Sequence, residues 1–104
     1  MAEPREVTWL LKAEIDFQET YNRIERYSEE RAEKFYHSVN AALDRVASNP
    51  DGGSPYALPI RRVLALKGRY GVFYRDEACG IVVLGIEDLR QEPRRIRRNL
   101  GLDE

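Results

Sequence analysis

Residues 60–93, IRRVLALKGRYGVFYRDEACGIVVLGIEDLRQEP, decide the fold of this chain. Three short apolar segments, 60–66, 70–75 and 81–86, are separated by Lys67-Gly68-Arg69 and by the run Asp76 to Gly80. Both connections are short enough for hairpins, so the segments predict an antiparallel three-strand meander. Arginines and one lysine stud the meander along and between its apolar positions. Such a surface is built to meet something anionic.

The residues before the meander read as one strand and a helical hairpin. Val7, Trp9 and Leu11 alternate with Thr8 and Leu10, which predicts a strand over 7–11 with one well-buried side. From Ala13 the period becomes helical, with Phe17, Tyr21 and Ile24 on one stripe. Ser28 reads as an N-cap, and Glu29 and Glu30 follow where the helix dipole favours negative charge. The second helix carries the cleanest stripe: Ala32, Phe35, Tyr36, Val39, Ala42, Leu43 and Val46. Asn49-Pro50-Asp51-Gly52-Gly53 ends it. The segment from there to Pro59, holding three of the five prolines, reads as a loop ordered only by packing. After the meander, Pro93 opens a short arginine-rich helix over 94–100, which Gly101 caps. The class is α+β, with the hairpin packed on one sheet face. Phe35, Tyr36, Val39 and Leu43 are expected to meet Trp9, Phe73, Val82 and Leu84 in the core.

At 104 residues, 42% apolar, the chain has the size and composition of one globular domain, residues 1–104. Its formal net charge of -1 predicts no nucleic-acid partner by itself. The distribution is more informative. Residues 13–51 carry five basic against nine acidic side chains, whereas residues 52–98 carry ten basic against five acidic. All ten except Lys67 are arginine, whose planar donor fork suits phosphate and carboxylate. Cys79 is the only cysteine, so no intrachain disulfide or cysteine metal cluster can form. No cofactor or metal constellation is expected, and no apolar run approaches the roughly 18 residues of a membrane helix. The expected setting is the cytoplasm.

The order and spacing of these residues resemble the RelE/ParE superfamily of type II toxin–antitoxin toxins. The resemblance covers about residues 5–95. It is carried by Ala13, Asp16 and Tyr21, then Arg31-Ala32, Phe35 and Asn49-Pro50. In the second half it is carried by Ile60-Arg61-Arg62, by Tyr70-Gly71-Val72-Phe73-Tyr74-Arg75, by the strand 81–86, and by Arg90 before Pro93. The resemblance implies a growth-inhibiting toxin of a plasmid-stabilisation-like module, held inactive by a cognate antitoxin in a hetero-oligomer. It also implies one of two targets, DNA gyrase for ParE-like members or messenger RNA in the ribosome for RelE-like ones. The long hairpin with its Ala13/Asp16 entry resembles the ParE side.

Residue by residue, the ribonuclease alternative is poorly supplied. RNA cleavage through the 2′-hydroxyl needs a base, cations for the pentacovalent phosphate, and an acid for the leaving oxygen. RelE-like enzymes place an arginine after a strand tyrosine and a histidine or tyrosine near the C-terminus. Here Gly71 follows Tyr70, Asp88 stands where the histidine is common, and Ile96 falls near the tyrosine position. Arg62, Arg75 and Arg90 remain as phosphate binders, with Glu87 or Asp88 as a candidate base. The catalytic candidates are therefore Arg62, Arg75, Asp88 and Arg90. Candidates for binding a target or antitoxin are Arg61, Arg62, Arg69, Arg75, Arg90 and Arg94. Arg61 and Arg62 are adjacent on a strand and point to opposite faces. Arg94, Arg95, Arg97 and Arg98 read either as a binding surface or as a plain solvated helix. His37 lies off the apolar stripe and Cys79 in a turn, both as bystanders.

Overall fold

The structure, a computed structural model, describes residues 3–102. The chain runs β1 (Val7–Trp9), α1 (Leu11–Glu25), α2 (Glu29–Ser48), a 3-10 turn (Pro50–Gly52), β2 (Ser54–Ala57), β3 (Ile60–Ala65), β4 (Tyr70–Glu77), β5 (Gly80–Asp88) and α3 (Pro93–Asn99). The five strands form one sheet in the order β1-β5-β4-β3-β2. Strands β2 to β5 are an antiparallel meander, and β1 joins β5 in parallel.

The two long helices begin differently. Ser28 Oγ accepts from Arg31 N–H at 3.1 Å, and Glu29 and Glu30 fill the first turn, so α2 has its own start signals. Helix α1 follows Leu10, which offers no side-chain cap. It is held instead by the sheet. Strand β1 covers β5 only as far as Val83, leaving the outer edge of β5 open beyond it. Leu10 N–H donates to Val83 C=O at 3.0 Å, and Asp16 Oδ2 accepts from Ile86 N–H at 3.1 Å. Three residues of strand and one helical carboxylate thus close the edge. The expected strand over 7–11 ends at Trp9 because Leu11 is already helical.

Two further expectations are corrected. The segment after the 3-10 turn is not a loop: β2 pairs with β3, Ser54 opposite Arg62 and Pro55 opposite Arg61. Pro55 is tolerated because β2 is an edge strand, where a missing N–H costs no ladder bond. The meander therefore has four strands rather than three.

The core is also divided differently. Phe35, Val39, Leu43 and Val46 pack with Ala13, Tyr70, Val72, Tyr74, Ile81, Val83 and Ile86, and Trp9 leans on the same cluster. Phe73, Val82 and Leu84 instead lie on the opposite face, with Ile60 and Ile96, under α3. The period of two along a strand requires this, since Phe73 must oppose its neighbours Val72 and Tyr74. A bulge then reverses the parity: Phe73 stands opposite Gly85 and Tyr74 opposite Val83, leaving Leu84 as the extra residue. Ile86 consequently rejoins the helix-side face. Tyr36, expected in the core, is 44% exposed and meets Phe17 edge-on, with ring centroids 5.9 Å apart. Its position on α2 lies at the margin of the stripe rather than beneath it.

Candidate functional site

The short β3–β4 turn brings the first group of candidate residues together. Tyr70 stands opposite Asp88 in the ladder, so Arg69 and the end of β5 are neighbours. Arg69 C=O accepts from Leu89 N–H at 2.9 Å, which fixes the chain just after Asp88. The Asp88 carboxylate then accepts from Arg90 three times: from its N–H at 2.9 Å, its Nε at 3.2 Å and its terminal nitrogen at 3.0 Å. Arg69 Nε lies 3.9 Å away, and its guanidinium sits 5.7 Å over the Tyr70 ring. Partial burial pushes the Asp88 carboxyl up, but the Arg90 donors and the Arg69 charge outweigh it and leave it below the ordinary value. Its bond to Asp88 raises Arg90 in turn. The group is an ion cluster whose central carboxylate its arginine partners hold in the charged form.

Glu87, next along the strand, points to the other face and is only 4% exposed. It accepts from Lys12 at 2.8 Å, Gln91 at 3.1 Å and Asn99 at 2.8 Å. Lys12 also donates to Asp16 at 2.6 Å. This chain of bonds ties α1, β5 and α3 into one unit, and its carboxylate oxygens are already occupied.

The remaining candidates lie elsewhere. Arg61 faces the helix side and donates to Gly53 C=O at 2.9 Å, tethering the segment before β2. Arg75 donates to Glu77 at 2.6 Å and stands five residues along β4 from Tyr70, about 16 Å away. Arg62 shares the α3 face with Arg75, and no hydrogen bond or ion pair holds its side chain among the described residues. Arg94 is exposed on α3. Gly71 has a packing reason: a Cβ there would come within 3.0 Å of Leu89 and Phe73 and 3.1 Å of Arg62. Ile96 is buried against the α3-side cluster. The two positions where a ribonuclease would show an arginine and a tyrosine are thus filled with packing.

A second feature lies at the same end of the sheet. A groove of about 520 Å³ opens between the hairpin tip and the β3–β4 turn. Arg23, Arg31, Lys34, Lys67 and Arg69 line it, and no carboxylate does. Its apolar wall is made by Ile24, Tyr27, Leu66 and Tyr70.

The sequence pattern of one family, "ParE toxin of type II toxin-antitoxin system, parDE", matches residues 7–93. The chain belongs to the ParE toxin family. Among solved structures, the toxin is similar to a chain of the chromosomal ParDE TA system from P. aeruginosa, with a TM-score of 0.70 at 18% identity. That alignment covers 84% of this chain and 98% of the other, so the two share a fold. No curated protein matches the toxin.

Sequence reasoning named Asp88, Arg90 and Arg69 only as separate candidates; Asp88 and Arg90 are two residues apart, whereas Arg69 reaches Asp88 through the pairing of β4 with β5. It missed the groove. Arg23, Tyr27 and Arg31 are spaced by four but straddle the break between two helices, so no single helical stripe joins them. Lys67 was visible only as a turn residue. Lys12 was also missed, since its partner Glu87 is 75 residues away.

Proposed function

We propose that this ParE-family toxin inhibits growth by binding DNA gyrase, without acid–base chemistry of its own, and that a cognate antitoxin neutralises it in a cytoplasmic hetero-oligomer. The observation that carries this reading is the state of Asp88. A general acid must hold a proton near neutral pH, and a general base must have a free lone pair aimed at the substrate. Asp88 is held ionised by Arg90 and Arg69, and Glu87 is enclosed by three donors. Neither is free to carry a proton. The packing at Gly71 and Ile96 supports the same reading, because a catalytic side chain has no space at either position.

The test runs purified toxin in two assays side by side: gyrase-mediated DNA cleavage and ribosome-programmed messenger cleavage. Gyrase-dependent double-strand breaks without RNA cleavage are expected. Asp88→Asn should keep most of this activity, whereas loss of a true acid or base costs about a hundredfold or more in rate. Codon-positioned cuts that vanish in Asp88→Asn would make the protein a ribonuclease instead. Inactivity in both assays, with tight binding to the neighbouring gene product, would leave partner binding as its function.

A further inference from the structure

The groove at the hairpin tip combines three properties that no other region of the described residues shows together. Its rim carries five cations, of which Arg23, Arg31 and Lys67 have no ion pair or side-chain hydrogen bond among the described residues. Lys34 meets only Glu30, across 3.4 Å on an exposed surface. Its wall is apolar, and Tyr27, 86% exposed, projects beside it. Finally, the turn that supplies Leu66 and Lys67 is strained. Leu66 and Lys67 adopt φ of 52° and 55°, followed by Gly68 at 85°. Left-handed backbone is sterically costly for a non-glycine residue, and here two such residues are consecutive.

The strain has an identifiable support. Ser38, in the middle of α2, accepts from Leu66 N–H at 2.6 Å. That bond pins the turn to the hairpin, so Leu66 lines the groove from one side while Ile24 lines it from the other. Strained non-glycine turns held by a neighbouring element are a common mark of a binding surface.

We infer that this groove receives an acidic peptide segment of the protein that neutralises the toxin, with an apolar side chain seated between Ile24, Leu66 and Tyr70 and carboxylates meeting Arg23, Arg31 and Lys67. The inference rests on the reading that such a partner exists. It differs from a docking mode centred on Arg75 and Arg90, whose guanidinium groups already hold Glu77 and Asp88. A peptide fits better than a single-stranded nucleic acid. Nucleic-acid grooves offer successive exposed rings for stacking, whereas here Tyr70 is buried and Tyr27 alone is free to stack.

The test uses the product of the reading frame beside the toxin gene and measures its binding to the full-length toxin. The variants are Arg23→Glu/Arg31→Glu/Lys67→Glu and, as a control, Arg45→Glu, an exposed cation in the last turn of α2 that does not line the groove. Melting temperatures first establish that both are folded. The groove variant should bind about tenfold or more weaker at low salt, with a flatter salt dependence, while the control stays near wild type. Wild-type binding by the groove variant would overturn the inference and leave the neutralisation reading standing. No binding to the wild-type toxin would remove that reading and the inference with it. A labelled single-stranded oligothymidylate gives the other arm. Oligothymidylate binding that the groove variant loses, with partner binding intact, would assign the groove to nucleic acid.

Discussion

The two ends of the sheet use their cations in opposite ways. At the end where β4 passes into β5, three arginines are engaged with a nearby partner, and Arg62 beside Arg61 is the exception among the described residues. Arg75 holds Glu77, Arg61 holds Gly53 C=O with Asp51 beyond it, and Arg5 pairs with Asp76 at 3.0 Å and also donates to Glu77 C=O. At the other end, Arg69 and Arg90 converge on Asp88, but the side chains of Arg23, Arg31 and Lys67 around the groove pair with nothing among the described residues. Positive charge that a protein neutralises internally serves its own structure, and charge left unpaired around an apolar groove is free for a partner. Counting arginines along the chain cannot separate the two, and the meander's basic character overstates how much of it is available.

The sharpest way to break this contrast is to loosen the engaged end. Tyr74 is fully buried, its hydroxyl accepts from Gly53 N–H at 3.0 Å, and it donates to Pro50 C=O at 2.8 Å. Tyr74→Phe leaves both backbone groups without that partner, which should cost about 1–3 kcal/mol in urea denaturation. The binding of a partner at the groove should be unchanged. Tyr27→Phe, on the exposed rim, should leave stability within about 0.5 kcal/mol of wild type. Equal stability losses at the two positions would show that the ends do not differ as described.

Much of this architecture was legible from residue pattern. Ser28, the α2 stripe and the Pro93 start are local signals, and each acts within one turn of where it is read. The strand segments were legible for the same reason. The pairing of faces was not: Phe73, Val82 and Leu84 belong to a sheet buried on both sides, so apolarity alone does not say which helix each one meets. The Leu84 bulge then reverses the parity of β5, and its one local signal is Gly85, a glycine inside a strand pattern. Strand β2 was hidden by Pro55 and Pro59, which argue against a strand unless it is known to lie at an edge. At the site, the Asp88–Arg90 pair was within reach of a local reading. The groove and the Lys12–Glu87 bond depend on how distant segments pack, and no local reading reaches them.

Acid titration gives a smaller effect and tests the Asp88 cluster itself. Because its folded carboxyl lies below the ordinary value of 3.8, Asp88 adds stability that is fully present above that pH. The contribution is lost as pH falls through the lower folded value. Asp16 acts with the opposite sign. Burial, only partly offset by Lys12 and Ile86 N–H, raises it, so its unfavourable contribution is relieved on acidification. Comparing wild type with Asp88→Asn cancels the Asp16 effect. The wild type should be the more stable above pH 3.8, and the difference should shrink below it. A difference independent of pH would mean that the Arg90 and Arg69 charges do not hold the carboxylate.

The smallest effect separates stability from binding at a single residue. Lys67 has φ of 55°, a conformation that glycine adopts without steric cost. Lys67→Gly should therefore relieve strain, and the extra entropy glycine loses on folding offsets part of that gain. The net change should lie between zero and about 1 kcal/mol of added stability, read from the denaturant midpoint at unchanged slope. The same substitution removes one of the unpaired groove cations, so association with an acidic partner should slow and its salt dependence should fall. A residue kept at a strained position for packing alone would show the opposite pattern, with stability falling and association unaffected. If Lys67→Gly gains stability while losing association, the strain at the turn is tied to presenting that charge.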